Sequence, residues 1–406
     1  MGFQQGLSGL NAAAQNLAVI GNNVANANTV GFKESRTQFA DIYANSLLGA
    51  ANSAGIGVTV SKIAQQFSQG NISTSSNPLD MAINGNGFFQ LNTNGAVSYT
   101  RNGQFELDSD NYIVNTSGGR LQGYPVDSNS KIINSAPTDL RMSTADIAPA
   151  ATGKVAMVAS LNAGVTSNIT STFNVADATT YHNASGISAY DSLGTAHSIQ
   201  LYFRRTASNV WEVYGSENGT QLGTGPLGTI TFDSAGKIQS SVPGMPLPVS
   251  LTTTNGSTSP MSFTLDFTGT TQTATNFGVT SITQDGYASG KLVSFSVADD
   301  GTVVGRYSNG QTRAQGQVVL ASFANSQGLT AIGNNQWVET SASGQPVVGT
   351  PTSGNLGTLQ SGALEDSNID LTAELVNMIM AQRTYQANAQ TIKTEDAVMQ
   401  TLVNLR

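Results

Sequence analysis

Residues 371–405 read LTAELVNMIMAQRTYQANAQTIKTEDAVMQTLVNL, a run with no glycine and no proline. Leu371, Leu375, Met378, Tyr385, Ala389, Ile392 and Met399 recur on one stripe at helical spacing, and Leu402 and Leu405 prolong it. Asp370 is a good N-cap, and Glu374 in the first turn suits the helix dipole. Such a helix runs roughly 50 Å, at about 1.5 Å per residue. Residues 3–24, FQQGLSGLNAAAQNLAVIGNNV, carry a second stripe of Phe3, Leu7, Leu10, Ala14, Leu17, Gly21 and Val24. The polar face of this shorter helix (Gln4, Gln5, Asn11, Gln15, Asn16) holds no charge. Isolated short helices are marginal in water, so each stripe wants an apolar partner. Either the two ends pair with each other, or they pair with other copies of the chain. The mismatch in length and the uncharged polar face both point to assembly.

Between the ends the pattern changes to β. Leu79, Met81 and Ile83 alternate; Gly85-Asn86-Gly87 interrupts them, and Phe88-Phe89-Gln90-Leu91 follows. Asn94-Gly95 and Asn102-Gly103 each read as a tight hairpin turn, since a type I′ turn needs positive φ twice. Asp300-Gly301 and Asn309-Gly310 repeat that spacing late in the chain, and residues 317–323 read as one strand. Residues 72–144 and 286–358 are therefore expected to build one sheet-rich core domain from two separated segments. Ile199, Leu201 and Phe203 alternate, as do Trp211 with Val213, and Phe263, Leu265 and Phe267. Residues 145–285 accordingly read as a second β-domain inserted into the first. Residues 25–71 and 359–370 are extended connectors, with a short apolar pattern at Phe39, Ile42, Tyr43 and Leu47. The expected fold is mainly β with α-helical termini. Its β-domains are discontinuous and nested, and residues 1–24 and 371–406 form a coiled-coil-like inner domain.

The 406 residues include 17 Lys and Arg against 25 Asp and Glu, a net charge of −8, and charged residues make up only 10%. No basic stripe is present to hold nucleic acid. There is no cysteine and there are two histidines, which removes disulfides, thiolate nucleophiles and Cys-rich or His-rich metal centres. No stretch is long and apolar enough to span a bilayer, so membrane insertion is not expected. No basic residue precedes Lys33 and the longest strongly apolar run nearby is residues 17–20, so a conventional cleaved signal is not expected either.

The chemistry-bearing patterns are weak. Gly223-Thr224-Gly225-Pro226-Leu227-Gly228 matches a dinucleotide fingerprint, but a strand-like Thr229-Ile230-Thr231-Phe232 follows where a helix is required. His197 lies near Asp191 and Ser192, the residue types of a hydrolytic triad, yet neighbours along one turn and strand seldom converge that way. His182 offers less. Asp108, Asp110 and Asn111 lack the glycine and glutamate of a calcium loop and read as a turn. Arg383 reads equally as a solvated side chain or as a partner for a neighbouring copy's carboxylate. No catalytic, cofactor-binding or metal-binding residue is assigned, and an enzyme is not expected.

Several segments together resemble one family. Ser8-Gly9-Leu10-Asn11-Ala12-Ala13, Ile20-Gly21-Asn22-Asn23-Val24-Ala25-Asn26 and Gly31-Phe32-Lys33 resemble the N-terminal signature of bacterial flagellar rod and hook proteins. Asn86-Gly87-Phe88-Phe89 and Thr100-Arg101-Asn102-Gly103-Gln104-Phe105 resemble motifs of that family's core domain. Gly362-Ala363-Leu364-Glu365, Ser367-Asn368-Ile369-Asp370-Leu371, residues 378–389 and Leu402-Val403-Asn404-Leu405-Arg406 resemble the C-terminus of its hook members. A distal rod-type member is the nearest alternative, but such proteins lack the large insertion. A surface adhesin with an oligomerising stalk is more remote, since neither tandem repeats nor an anchor is visible.

The resemblance implies a homopolymer: a flexible curved tube serving as a universal joint between flagellar rod and filament, outside the cell. It implies terminal helices lining an inner tube, with Phe3, Leu7, Leu10, Leu17, Val24, Leu371, Leu375, Met378, Tyr385, Ile392, Met399, Leu402 and Leu405 at the assembly interface. The core β-domain would form the middle layer and the insertion the outer surface. It further implies rod, hook-cap and hook–filament junction proteins as partners, export by the flagellar type III apparatus without a cleaved signal, and no cofactor. A lysine–cysteine-derived crosslink known in some members is excluded by the absence of cysteine.

Overall fold

The computed structural model describes residues 2–42, 55, 57–165 and 167–404. Tyr43, Leu47 and Leu405 fall outside them. The described chain divides into two compact units, one of residues 1–144, 294–306 and 312–406, the other of residues 145–293 and 307–311.

The first unit holds both helices. Helix α1 spans Gly2–Ala25 and helix α2 spans Leu371–Asn404. Asp370 caps α2, its Oδ1 accepting from the backbone N–H groups of Thr372 at 2.9 Å and Ala373 at 3.1 Å. After α1 comes a hairpin of β1 (Ser35–Ile42) and β2 (Gly57–Gln65), antiparallel, with a bulge between Gln38 and Phe39. Phe39 and Ile42 belong to this ribbon and are exposed.

The core of the unit is a large antiparallel sheet. Its middle runs in the order Thr312–Val318, Arg120–Tyr124, Phe88–Thr93, Ala96–Thr100, Gln336–Val338 and Thr330–Gly333. Strands from early in the sequence thus form the centre of the sheet, and strands from late in the sequence flank them on both sides. Met81, Phe89, Leu91, Ile113, Leu121 and Val318 fill the core beneath it, each fully buried.

The turns are more varied than the dipeptides suggest. Asn94 and Gly95 both take positive φ, 53° and 92°, and join adjacent strands as a type I′ turn. Asn102-Gly103 is not such a turn. Its glycine packs against the Met81 backbone so tightly that a Cβ would collide with the Met81 carbonyl, while Asn102 Oδ1 accepts from Gln104 N at 2.9 Å. At Asp300-Gly301 and Asn309-Gly310 only the glycine has positive φ. The single strand expected over residues 317–323 is two. Thr312–Val318 pairs with Arg120–Tyr124, whereas Leu320–Ser322 pairs with Phe88–Phe89 and Val347–Gly349.

The second unit stacks a five-stranded on a six-stranded sheet. Lys154–Asn162 alternates buried and half-buried side chains along its length after Lys154 and pairs in parallel with Met261–Asp266 and Thr271–Thr273. Asn183–Tyr190, Ala196–Ala207, Val210–Glu217, Gly228–Phe232 and Ile238–Val242 follow one another across the other sheet. Met157, Leu201, Phe203, Trp211, Phe263 and Leu265 form part of their common core. Trp211 donates its indole N–H to Gln272 Oε1 at 2.9 Å, tying one sheet to the other. The glycine-rich stretch 223–228 is a turn that leads directly into a strand.

Candidate assembly surface

The two helices pack through small residues. A Cβ on Gly6 would lie 3.0 Å from Ile392 Cγ1, and one on Gly9 would lie 2.8 Å from Asn388 Oδ1. Close approach of this kind needs a side chain of minimal size on one surface. The buried face of α1 is Gly6, Ala12, Ala13, Val19, Ile20 and Asn23. On α2 the covered positions are Glu374, Met378, Ala381, Asn388, Ala389, Ile392 and Glu395; with Tyr385 counted and Ala389 set beside Asn388, the steps alternate between four and three.

On α1 this face is not the stripe that hydrophobicity marks, and on α2 the two coincide at Met378, Ala389 and Ile392 alone. Phe3 and Leu7 are 51% and 43% exposed, and Leu10, Leu17 and Val24 are half-buried. On α2, Met378 and Ile392 are half-buried while Leu371, Leu375, Tyr385 and Met399 are exposed. The side chain of Leu402 lies outside the described part. Glycine and alanine carry little weight in a hydrophobic pattern, so the closest contact is the one the pattern underrates. The large apolar residues stay uncovered in the single chain, and Val376, Ile379, Met380, Val398 and Val403 of α2 join them. An exposed apolar surface of this extent marks an interaction face.

Polar side chains fix the hairpin to the helices. Asn23 donates to Ser35 O at 2.8 Å and accepts from Ser35 N at 3.0 Å, so one amide satisfies both backbone groups of β1's first residue. Asn23 also donates to Glu374 Oε1 at 3.2 Å. Asn368, just before α2, accepts from Glu34 N at 2.8 Å and donates to Gln66 O at 2.9 Å. Between α1, α2 and the hairpin lies a groove of about 870 Å³, lined in part by Ala12, Ile20, Phe39, Met380, Glu34 and Glu374.

Below the helices sits a buried ionic cluster. Glu365 Oε1 is 2.7 Å from Lys33 Nζ, and its Oε2 is 3.1 Å from Arg101 Nη1. Lys33 also donates to Ser68 O, Arg101 to Gly85 O, and Gly70 N to Glu365 Oε1. Burial pushes the Lys33 pKa down, against the pull of Glu365. Sequence reasoning missed this cluster, because charged residues normally read as surface. The only signal was their place inside three of the family-like motifs.

The candidate catalytic pattern does not assemble. His197 lies between two carboxylates, Nδ1 2.6 Å from Glu217 Oε1 and Nε2 3.3 Å from Asp191 Oδ2. Ser192 Oγ accepts from Thr258 N at 2.9 Å and is not bonded to the imidazole. Burial disfavours the charged imidazole, yet the hydrogen bonds and charges of Glu217 and Asp191 outweigh it and raise the His197 pKa. Asp191 is held below the usual carboxylate range. Burial opposes this, but hydrogen bonds from Asn255, Thr195, His197 and Leu193 prevail. A histidine held at both nitrogens is an ion-paired brace, not a general base. Asp108 Oδ1 accepts from Asp110 N and Tyr112 N, the geometry of a turn.

Four family models match along the chain: flagella basal body rod protein over residues 3–33, flagellar hook protein FlgE/F/G D1 domain over 82–157, flagellar basal body protein FlaE D2 domain over 160–287, and flagellar basal body rod FlgEFG protein C-terminal over 360–405. The chain is 43% identical to the flagellar hook protein FlgE of Salmonella typhimurium over the whole of both chains. It is 42% identical to that of Escherichia coli, again over the whole of both. Identity to that of Borreliella burgdorferi is 33%, covering 99% of this chain and 98% of the relative. Among solved structures, a Helicobacter pylori flagellar hook protein FlgE2 aligns with a TM-score of 0.53 at 15% identity, covering 72% of this chain and 100% of that one.

Proposed function

Since the chain belongs to the bacterial flagellar hook protein family, we infer that it is the structural subunit of a flagellar hook, a curved tube of many copies that passes torque from rod to filament. The carrying observation is the row of large apolar side chains on α1 and α2 that the single chain leaves exposed. Burying such side chains is worth about 1.5–3 kcal/mol each, so a concentrated solution of this chain gains by association. In this reading residues 1–24 and 371–406 form the inner tube, with Phe3, Leu7, Leu375, Tyr385 and Met399 facing neighbouring copies. Residues 72–144 and 286–358 form the layer around it, and residues 145–285 the outside.

The tube bends as it turns, so outer contacts must be exchanged at low cost. A surface with few charges suits this, because separating a buried ion pair leaves a charge uncompensated. Rod, hook-cap and hook–filament junction proteins are the expected neighbours at the two ends. Delivery by the flagellar type III apparatus, unfolded and without a cleaved signal, is the expected route. Electron microscopy of a strain lacking the gene tests the reading. A hookless, non-motile cell is expected, and a cell with normal hooks would refute it.

A further inference from the structure

Two carboxylates share the groove beside the helices. Glu34, just ahead of β1, and Glu374, in the first turn of α2, both line it. Glu374 is only 5% exposed, and its Oε2 has no hydrogen-bond partner. A buried carboxylate oxygen left unpaired is costly. Arg36 lines the same groove, yet among the described residues no ion pair joins it to either acid. Burial and the neighbouring Glu374 push the Glu34 pKa up against the charge of Arg36, and among the described residues no cation is within ion-pair distance of Glu374.

A cation of the right kind lies on the same helix but out of reach. Arg383 is nine residues beyond Glu374. That is about 2.5 turns, which puts it on the opposite side of α2 and roughly 13 Å along the axis. Glu374 faces α1, so Arg383 faces away. It is exposed, and it is in none of the ion pairs among the described residues.

The geometry points to a bond between copies: the Arg383 guanidinium of one copy enters the groove of the next and pairs with Glu374, with Glu34 alongside. This rests on the reading of the chain as a self-assembling subunit. Ala12, Ala13 and Ala381 leave room at the groove wall, and Ile20 and Met380 give the arginine stem an apolar bed. The planar fork of arginine matches a carboxylate with a free oxygen. Donor and acceptor stand on opposite sides of one helix, so every copy offers both. Such a contact is heterologous and propagates head to tail without needing to close.

Two remedies within one chain compete: Arg36 swinging inward, or a proton shared between Glu34 and Glu374. Assembly of the full-length chain, followed by sedimentation, separates them. Arg383→Gln alters an exposed side chain away from α1, and is expected to raise the critical concentration about tenfold. Charge reversal at both positions, Glu374→Arg with Arg383→Glu, is expected to recover assembly that either reversal alone abolishes. Because the chain has no cysteine, Glu374→Cys with Arg383→Cys supplies a direct readout. A short bismaleimide cannot bridge opposite sides of one helix, so dimer and higher ladders are expected in the assembled state. Unchanged assembly of Arg383→Gln without ladders overturns the inference while the subunit reading stands, as does loss of assembly on Arg36→Gln alone. Failure of the unaltered chain to assemble under any condition removes both.

Discussion

Lys33 Nζ lies 2.7 Å from Glu365 Oε1, with neither side chain exposed to solvent. These residues are 332 positions apart in the chain. Arg101 binds the other carboxylate oxygen, so one acid holds two cations drawn from different segments. The cluster joins the base of the helical region to the core sheet, and the members are not equivalent.

Replacing Glu365 strands two buried cations, whereas replacing Lys33 leaves Glu365 paired with Arg101. Glu365→Gln is therefore expected to cost about 3–5 kcal/mol of stability, and Lys33→Met clearly less. Urea denaturation of the full-length variants measures the difference. Equal losses would show that the pairing is not shared as the distances indicate.

The close helix contact predicts a steric penalty. Gly9→Leu drives a side chain into Asn388 and is expected to cost about 1–3 kcal/mol of helix docking. Gly6→Ala, whose added methyl meets Ile392 at 3.0 Å, is expected to be milder. Limited proteolysis of the two helices reports the docking, and faster cleavage in Gly9→Leu than in Gly6→Ala is the expected order.

The exposed apolar residues separate folding from assembly. Leu7→Asp and Met399→Asp change side chains that the single chain does not bury. Each is expected to leave the thermal unfolding of the monomer within about 0.5 kcal/mol of the parent while preventing polymerisation. Tubes formed by either variant, seen by electron microscopy, would remove these positions from the interface. Deleting residues 1–24 and 371–406 should likewise leave a folded β-rich monomer that does not polymerise.

The two histidines should titrate on opposite sides of the ordinary value of about 6.5. His197 is raised by Glu217 and Asp191, and His182 is lowered by burial. Since the folded His197 pKa is raised, its contribution to stability is complete below about pH 6.5 and is lost as pH rises through the higher folded value. Asp191, held low, contributes above about pH 4 and loses that contribution as pH falls through its folded value. Proton NMR titration resolves the two rings, and His197→Gln should flatten the alkaline decline of the melting temperature. A decline unchanged in that variant would assign it elsewhere.

The C-terminal helix was legible because a long, glycine-free periodic segment with an acidic cap carries a strong local signal, as at Asp370 and Leu371–Met399, and the N-terminal helix was legible from its periodic stripe despite its glycines. Asn94-Gly95 was legible for the same reason, since its geometry is set by two residues. Which face of α1 docks was not. The contact depends on how little Gly6 and Gly9 project, and a hydrophobic pattern scores what a residue contributes, not the space it leaves. Asn102-Gly103 misleads because its glycine answers to Met81, which approaches through the tertiary fold. Residues 317–323 misled because a continuous apolar run does not reveal that its halves pair with different neighbours. Glu374 was read as a dipole partner, and its burial beside Asn23 depends on a helix more than 350 residues away.

Order in time follows from order along the chain. A polypeptide delivered amino end first presents Lys33, then Arg101, and only near the finish Glu365. Until that last acid arrives, the two cations have the carbonyls of Ser68 and Gly85 to bind but no carboxylate to pair them, so the ionic join between helices and sheet cannot close. The molecule thus withholds its final shape until nearly nine-tenths of it has emerged, and a subunit broken off early lacks the acid that would close it.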